Sequence, residues 1–393
     1  MALAWNTREL LSESKLAPIP IEYHFLSRRE LYDSVVTADQ RDRLGGWAVY
    51  GDNHWYTVEV VSRPIDVLPQ ELCLSFDCFP RTEIFGDGHT MSGPPDEEIA
   101  VEFGMLLSLL IREALLPIGI RRQGGRPIRI DSPLGNFSRF RSRHSSVPLG
   151  VNSRELRAII EGLAKAKEAD ANAVLAASRL YHAALLLSEY DVSTAYFSLV
   201  SAIECVSGHH FKKRCFEFDD IEKFRRVRET ITELSCLPDT ADLLDDLKRK
   251  MLDQEHFVWQ KFRDFIEEFL PEEFWQLPDI VQSLNLFKIE KPQLRKFLRK
   301  AYDARSSFAH AGEPFPAHVE IGLYDGASVR PRSVVEMAAL PPTKAYVPTF
   351  PWFERVTWSV LREYLHRVIA TDLPGSRGDG LEGPRRYPFA PSS

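Results

Sequence analysis

Two rhythms of apolar residues divide this chain. In the first part Leu72, Leu74 and Phe76 alternate with polar neighbours, the period of a strand with one face buried. Trp47 to Tyr50, Trp55 to Val61 and Glu71 to Phe76 are rich in β-branched and aromatic residues, so they are expected as strands, the first two joined by a turn at Gly51, Asp52 and Asn53. From Asp96 to Leu116 the rhythm becomes helical: Ile99, Val101, Phe103, Leu106, Leu107, Leu110 and Ile111 leave little polar face, which predicts a mostly buried helix. Helices are then expected over roughly 153–167 and 172–188, after a capping-box-like start at Asn152 and Glu155. A third begins after Asp191, with Tyr196, Leu199, Val200 and Ile203 on one stripe and Glu204 at its border. Amphipathic stretches follow at Ile221 to Leu234, Asp239 to Leu252 and His256 to Leu270, and the last helix is expected from about Pro351 to Thr371.

The fold class this predicts is α+β: a strand-rich α+β module over residues 1–120, a basic linker at 121–150 and an all-α part at 151–373 that carries a helical insertion at about 209–290. A chain of 393 residues suits two domains, and the tail 374–393 is too rich in Gly and Pro to pack. Hydrophobic residues at 44% and charged residues at 27% are globular values. The main apolar run, Phe103 to Ile111, falls far short of the ~20 residues a membrane helix requires. The N-terminus has no apolar signal core, so a soluble, cytoplasmic protein with no membrane partner is expected. Five cysteines without a CxxC fit a reducing compartment.

Chemistry is sparse. No GxxxxGK[ST], GxSxG, HExxH or GxGxxG is present. Cys73 and Cys78 lie close in sequence, but no second Cys/His pair completes a zinc site, and His209 and His210 sit among cations. Neither group is read as metal ligands, and no metal or cofactor is expected. A net charge of −7 excludes a chain that coats nucleic acid indiscriminately, yet the stretch from Arg121 to His144 holds seven arginines against the single acid Asp131. Beside Phe137 and Phe140, Arg139, Arg141 and Arg143 could grip the phosphates of RNA; the same stretch also reads as a solvated linker.

One segment stands out, Lys291 to Gly312, KPQLRKFLRKAYDARSSFAHAG. Leu294, Phe297, Leu298, Ala301 and Phe308 form an apolar stripe, Pro292 suits a first turn, and Gly312 suits a left-handed stop near His310 or Ala311. The segment closes on Arg305, Ser306 and His310, an R-x4-H pattern. This pattern, with YDARSSFAHAG and the upstream stretch AASRLYHAALLLSEYDVSTAYFSLVSAIECVSG, resembles the HEPN superfamily and within it the Apea-like branch, over residues of about 150 to 372. Ser306 stands where Asn is common in that signature. The resemblance implies a HEPN-like helical bundle, a homodimer, a setting in defence or stress response, and metal-independent RNA cleavage by Arg305 and His310, leaving a 2′,3′-cyclic phosphate. Glu204 and Ser306 are the candidate supporting residues, Glu204 by orienting Arg305 or His310, or else as an exposed or capping acid.

The chemistry is self-consistent. A histidine that titrates near neutrality can move the proton of a ribose 2′-hydroxyl, and a guanidinium can stabilise charge building on the phosphate. The geometry is less so: five residues of separation turn a helix by about 500°, leaving Arg305 and His310 roughly 140° apart in projection. They can converge only if the helix loosens at its end or if two copies meet. The alternative is a non-catalytic HEPN-type module for dimerisation or nucleotide binding. An open basic cleft at Arg305 and His310 would favour cleavage; a sealed or acid-paired arginine would favour the module.

Overall fold

The computed structural model describes residues 19–27, 31–33, 48–50, 56–61, 70–78, 81–84, 90–93, 96–123, 126–127, 149–151, 153–188, 190–212, 214, 218, 224–234, 241–253, 257–276, 289–320 and 346–371. Among the described residues ten strands come first: β1 (Ile19–Ser27), β2 (Leu31–Asp33), β3 (Ala48–Tyr50), β4 (Tyr56–Val61), β5 (Gln70–Cys78), β6 (Arg81–Ile84), β7 (Thr90–Gly93), β8 (Leu116–Gln123), β9 (Arg126–Pro127) and β10 (Leu149–Val151), with helix α1 (Asp96–Ile111) between β7 and β8. The helices that follow are α2 (Ser153–Lys165), α3 (Glu168–Leu187), α4 (Val192–His210), α5 (Arg225–Leu234), α6 (Ala241–Asp253), α7 (Val258–Phe269), α8 (Leu294–Ala311) and α9 (Phe350–Thr371). The class is α+β, as the two rhythms predict.

Six strands form one sheet in the order β3-β4-β5-β1-β8-β9. The expected strands appear as β3, β4 and β5, but β1, near the middle of the sheet, was not anticipated from the sequence. It pairs antiparallel with both β5 and β8. Ile21, Tyr23 and Phe25 of β1 and Leu72 and Leu74 of β5 are buried together with the apolar side of α1. The approach is close at Gly104, where an added Cβ would lie 2.3 Å from the Phe25 ring.

Helix α1 ends at Ile111, five residues before the predicted limit. Arg112 turns left-handed at φ 54°, and Leu116 belongs to β8. Leu115 and Leu116 read as helical from the sequence because they continue the apolar run of α1 past its end.

The core is continuous. A single cluster runs from Ile21 and Phe103 through Tyr181, Leu199, Phe265 and Leu298 to Val360, so α1 is packed on one side by the sheet and on the other by α3. In the helical part α4 is central, packed against α3, α7, α8 and α9. Tyr196 of α4 stacks between Phe315 and Phe353, with ring centroids 4.6 Å and 4.7 Å away. Within the stretch 209–290, α7 buries Phe262, Phe265 and Phe269 in this main core, whereas Phe218, Phe224, Ile231 and Leu244, around α5 and α6, form a separate small cluster. No described helix is long and apolar enough to cross a membrane.

Candidate functional site

Helix α8 carries the Arg305/His310 pair. Its entry is a 3-10 turn at Lys291–Gln293 with Pro292 in the first positions, where a missing N–H costs nothing. Leu294, Phe297, Leu298 and Ala301 are buried against the bundle, and Phe308 packs near Phe197 and Phe315. Gly312 ends the helix at φ 69°, its N–H bonded to Phe308 O at 3.1 Å. The cap fixes the last turn, so α8 stays regular through Ala311.

Arg305 faces into the bundle. Its Nη2 donates to Glu204 Oε2 of α4 at 2.6 Å, and its guanidinium carbon lies 5.1 Å from the centre of the Phe197 ring. The side chains of Arg305 and Glu204 are 21% and 12% exposed, so the pair is half sealed rather than open. Burial pushes the Glu204 carboxyl above the ordinary carboxylate range, opposed by Arg305 and by the Tyr302 hydroxyl. Tyr302 in turn is raised to about 12 by burial and by Glu204, so it remains a donor at neutral pH. Trp259 and Phe262 of α7 pack on Tyr302, at 5.3 Å and 5.4 Å between centroids, and hold this corner in place.

His310 lies in the last turn of α8 and is exposed, between the exposed Ala309 and Ala311. The regular helix keeps it on a different side from Arg305, and it takes no part in the Arg305, Glu204 and Tyr302 contacts. Ser306, next to Arg305, is half-buried. Arg139, Arg141 and Arg143 lie outside the described residues.

On α8 Arg295 bonds Glu267 of α7 at 2.8 Å and Arg299 pairs with Asp303 at 2.9 Å, and in the entry turn Lys291 pairs with Glu272. The histidine pair also has ordinary partners: His209 Nε2 is 2.6 Å from Asp170 Oδ1, and His210 lies 3.5 Å from Glu268 among the rings of Phe211, Phe265, Phe269 and Tyr364.

A second polar constellation, not anticipated from the sequence, joins α1, α3 and α9. The buried Glu354 of α9 receives Arg112 Nε at 3.0 Å, a further bond from Arg112 Nη2 and the hydroxyl of Tyr181. Trp358 Nε1 donates to Leu109 O at 2.9 Å. These contacts span 242 and 173 residues of sequence for Glu354, which is why no local motif announces them. With Glu354 7% exposed and Tyr181 fully buried, they lock the module to the bundle rather than offer a surface. Comparison with protein-family models, with curated proteins and with solved structures finds no match to this chain.

Proposed function

We propose that this chain is a HEPN-like protein that cleaves RNA without a metal ion, through a site completed when two copies bring their α8 ends together. Arg305 of one copy would face the phosphate while His310 of the other moves the proton of the 2′-hydroxyl. The observation that carries the composite form is the regular α8: its fixed last turn leaves Arg305 anchored to Glu204 and His310 exposed on a different side. Of the two ways the pair could meet, loosening of the helix end is the one this cap opposes. Glu204 would then act as a positioning residue that holds one edge of the guanidinium, leaving other N–H groups to a phosphate. The setting in defence or stress response rests on the HEPN resemblance alone, and the cytoplasmic setting on the sparse cysteine usage.

Mixing inactive variants tests this reading. Arg305→Ala and His310→Ala should each lose cleavage by about a hundredfold or more, since each removes a group that acts on the transition state. In a mixed dimer one site regains Arg305 from the second variant and His310 from the first. Cleavage with 2′,3′-cyclic phosphate ends should therefore return on mixing, and should persist in EDTA. Full activity in a monomer, or no recovery on mixing variants that are shown to exchange subunits, counts against the composite site.

A second reading has an observation of its own. Arg305 is acid-paired and half sealed, the arrangement expected of a non-catalytic dimerisation or nucleotide-binding module. It predicts that the unmodified chain leaves RNA ends unchanged in every assay while still forming a dimer or binding a nucleotide.

A further inference from the structure

The sheet carries a donor set that no linear spacing announces. β1 and β5 run side by side in a register that sets His24 opposite Cys73, and Glu22 lies two residues before His24, on the same face of β1. One carboxylate oxygen of Glu22, one imidazole nitrogen of His24 and the sulfur of Cys73 all lie within 4.8 Å of one another. His24 and Cys73 are 8% and 4% exposed, and Glu22 is half-buried. The alternate positions, Ile21, Tyr23, Phe25, Leu72 and Leu74, fill the apolar core, so the pleat itself sorts the polar donors onto the face away from that core.

We infer that Glu22, His24 and Cys73 bind a zinc-class divalent ion. The donor chemistry selects the class: a thiolate and an imidazole are poor ligands for calcium or magnesium, which take oxygens, while zinc accepts sulfur, nitrogen and carboxylate together. Tetrahedral bonds of about 2.0–2.3 Å place donor atoms roughly 3.3–3.7 Å apart. The three donor atoms, within 4.8 Å of one another, have to draw together by up to about 1.5 Å to reach that spacing, a shift that side-chain rotation on the paired strands supplies. Ser75 supports the site from two residues along β5, its Oγ 3.6 Å from Cys73 Sγ. Once the thiol is deprotonated the sulfur can only accept, so the Ser75 hydroxyl becomes the donor that steadies it. Three protein ligands leave a fourth position for water or an added ligand.

Binding replaces the Cys73 S–H bond by an S–Zn bond and releases one proton, with no change of oxidation state. Affinity should therefore rise with pH while the thiol is still protonated. This site is independent of the reading of Arg305 and His310.

The test uses the full chain, reduced and freed of metal by chelation, with Zn²⁺ alone as the ligand and Co²⁺ as a spectroscopic probe. One ion should bind per chain, Co²⁺ should show a thiolate charge-transfer band, and Zn²⁺ should slow alkylation of Cys73, followed by peptide mass spectrometry, by about tenfold or more. Glu22→Gln, at a half-exposed position that leaves the core intact, should weaken Zn²⁺ binding and Cys73 protection to a similar extent. Cys73→Ser should abolish the Co²⁺ band. If Zn²⁺ leaves Cys73 alkylation unchanged in the unmodified chain, or if Glu22→Gln shields Cys73 as well as the unmodified chain does, the site does not exist as described.

Discussion

His182 is buried on α3 with Nδ1 2.9 Å from Ser108 Oγ. Ser108 gives its own proton to Gly104 O at 2.9 Å and accepts the N–H of Leu115 at 3.2 Å, so the Nδ1–H of a neutral imidazole is the donor to it. Burial pushes the His182 pKa down from 6.5 to about 4. Between those values the unfolded chain binds a proton that the folded chain refuses. Stability is therefore complete above pH 6.5 and drains away as the pH falls towards 4, by up to roughly 3 kcal/mol at about 1.4 kcal/mol per pH unit. Urea unfolding followed across this range should show that slope, and His182→Gln should flatten it. Glu204 has the opposite sense: raised by burial, it protonates at a higher pH than an ordinary glutamate, so mild acid should weaken its hold on Arg305. Arg305 and Glu204 were legible as candidates in the sequence, because a helical wheel puts Glu204 at the rim of a buried stripe. Their bond was not, because 101 residues separate them.

At the scale of elements, two glycines make opposite demands. Gly312 caps α8 at φ 69° with open space around it, so Gly312→Ala meets only the backbone cost of a left-handed residue, about 1 kcal/mol. Gly104 lies inside α1, where alanine would gain up to about 1 kcal/mol of helix propensity. Its Cβ, however, would meet the Phe25 ring at 2.3 Å in a filled core. Overpacking of that kind costs typically 1–3 kcal/mol, which outweighs the propensity gain. Chemical denaturation should therefore show both variants destabilised. Only Gly312→Ala should also fray the end of α8, seen as faster amide exchange from Ala309 to Gly312.

For the whole molecule the decisive feature is the junction at Glu354. Its carboxylate satisfies Arg112 at the end of α1 and Tyr181 on α3, beside a core that passes from sheet to bundle without a break. Glu354→Ala leaves the buried Tyr181 hydroxyl without its acceptor and should destabilise by about 1–3 kcal/mol, Arg112 being exposed enough to recover water. Because the core is shared, the unmodified chain should unfold in one step, with far-UV dichroism and tryptophan fluorescence changing together. In Glu354→Ala the two signals should separate if the polar junction, rather than the apolar packing, supplies that cooperativity.

Elements with a strong, local rhythm were readable in the order of residues. Helices α2 to α9 lie within a few residues of their predicted spans, and the Pro292 start and Gly312 stop of α8 were readable because caps act over a single turn. Strand β1 was missed even though Ile21, Tyr23 and Phe25 alternate with Glu22 and His24, and α1 ran too long because Ala114, Leu115 and Leu116 continue its apolar run. Packing sets which distant side chains meet: Arg305 with Glu204, Arg112 and Tyr181 with Glu354, and Glu22 and His24 with Cys73. Strand register and helix packing set those encounters, and both depend on the sum of many apolar contacts spread along the chain. No motif of a few residues contains that sum.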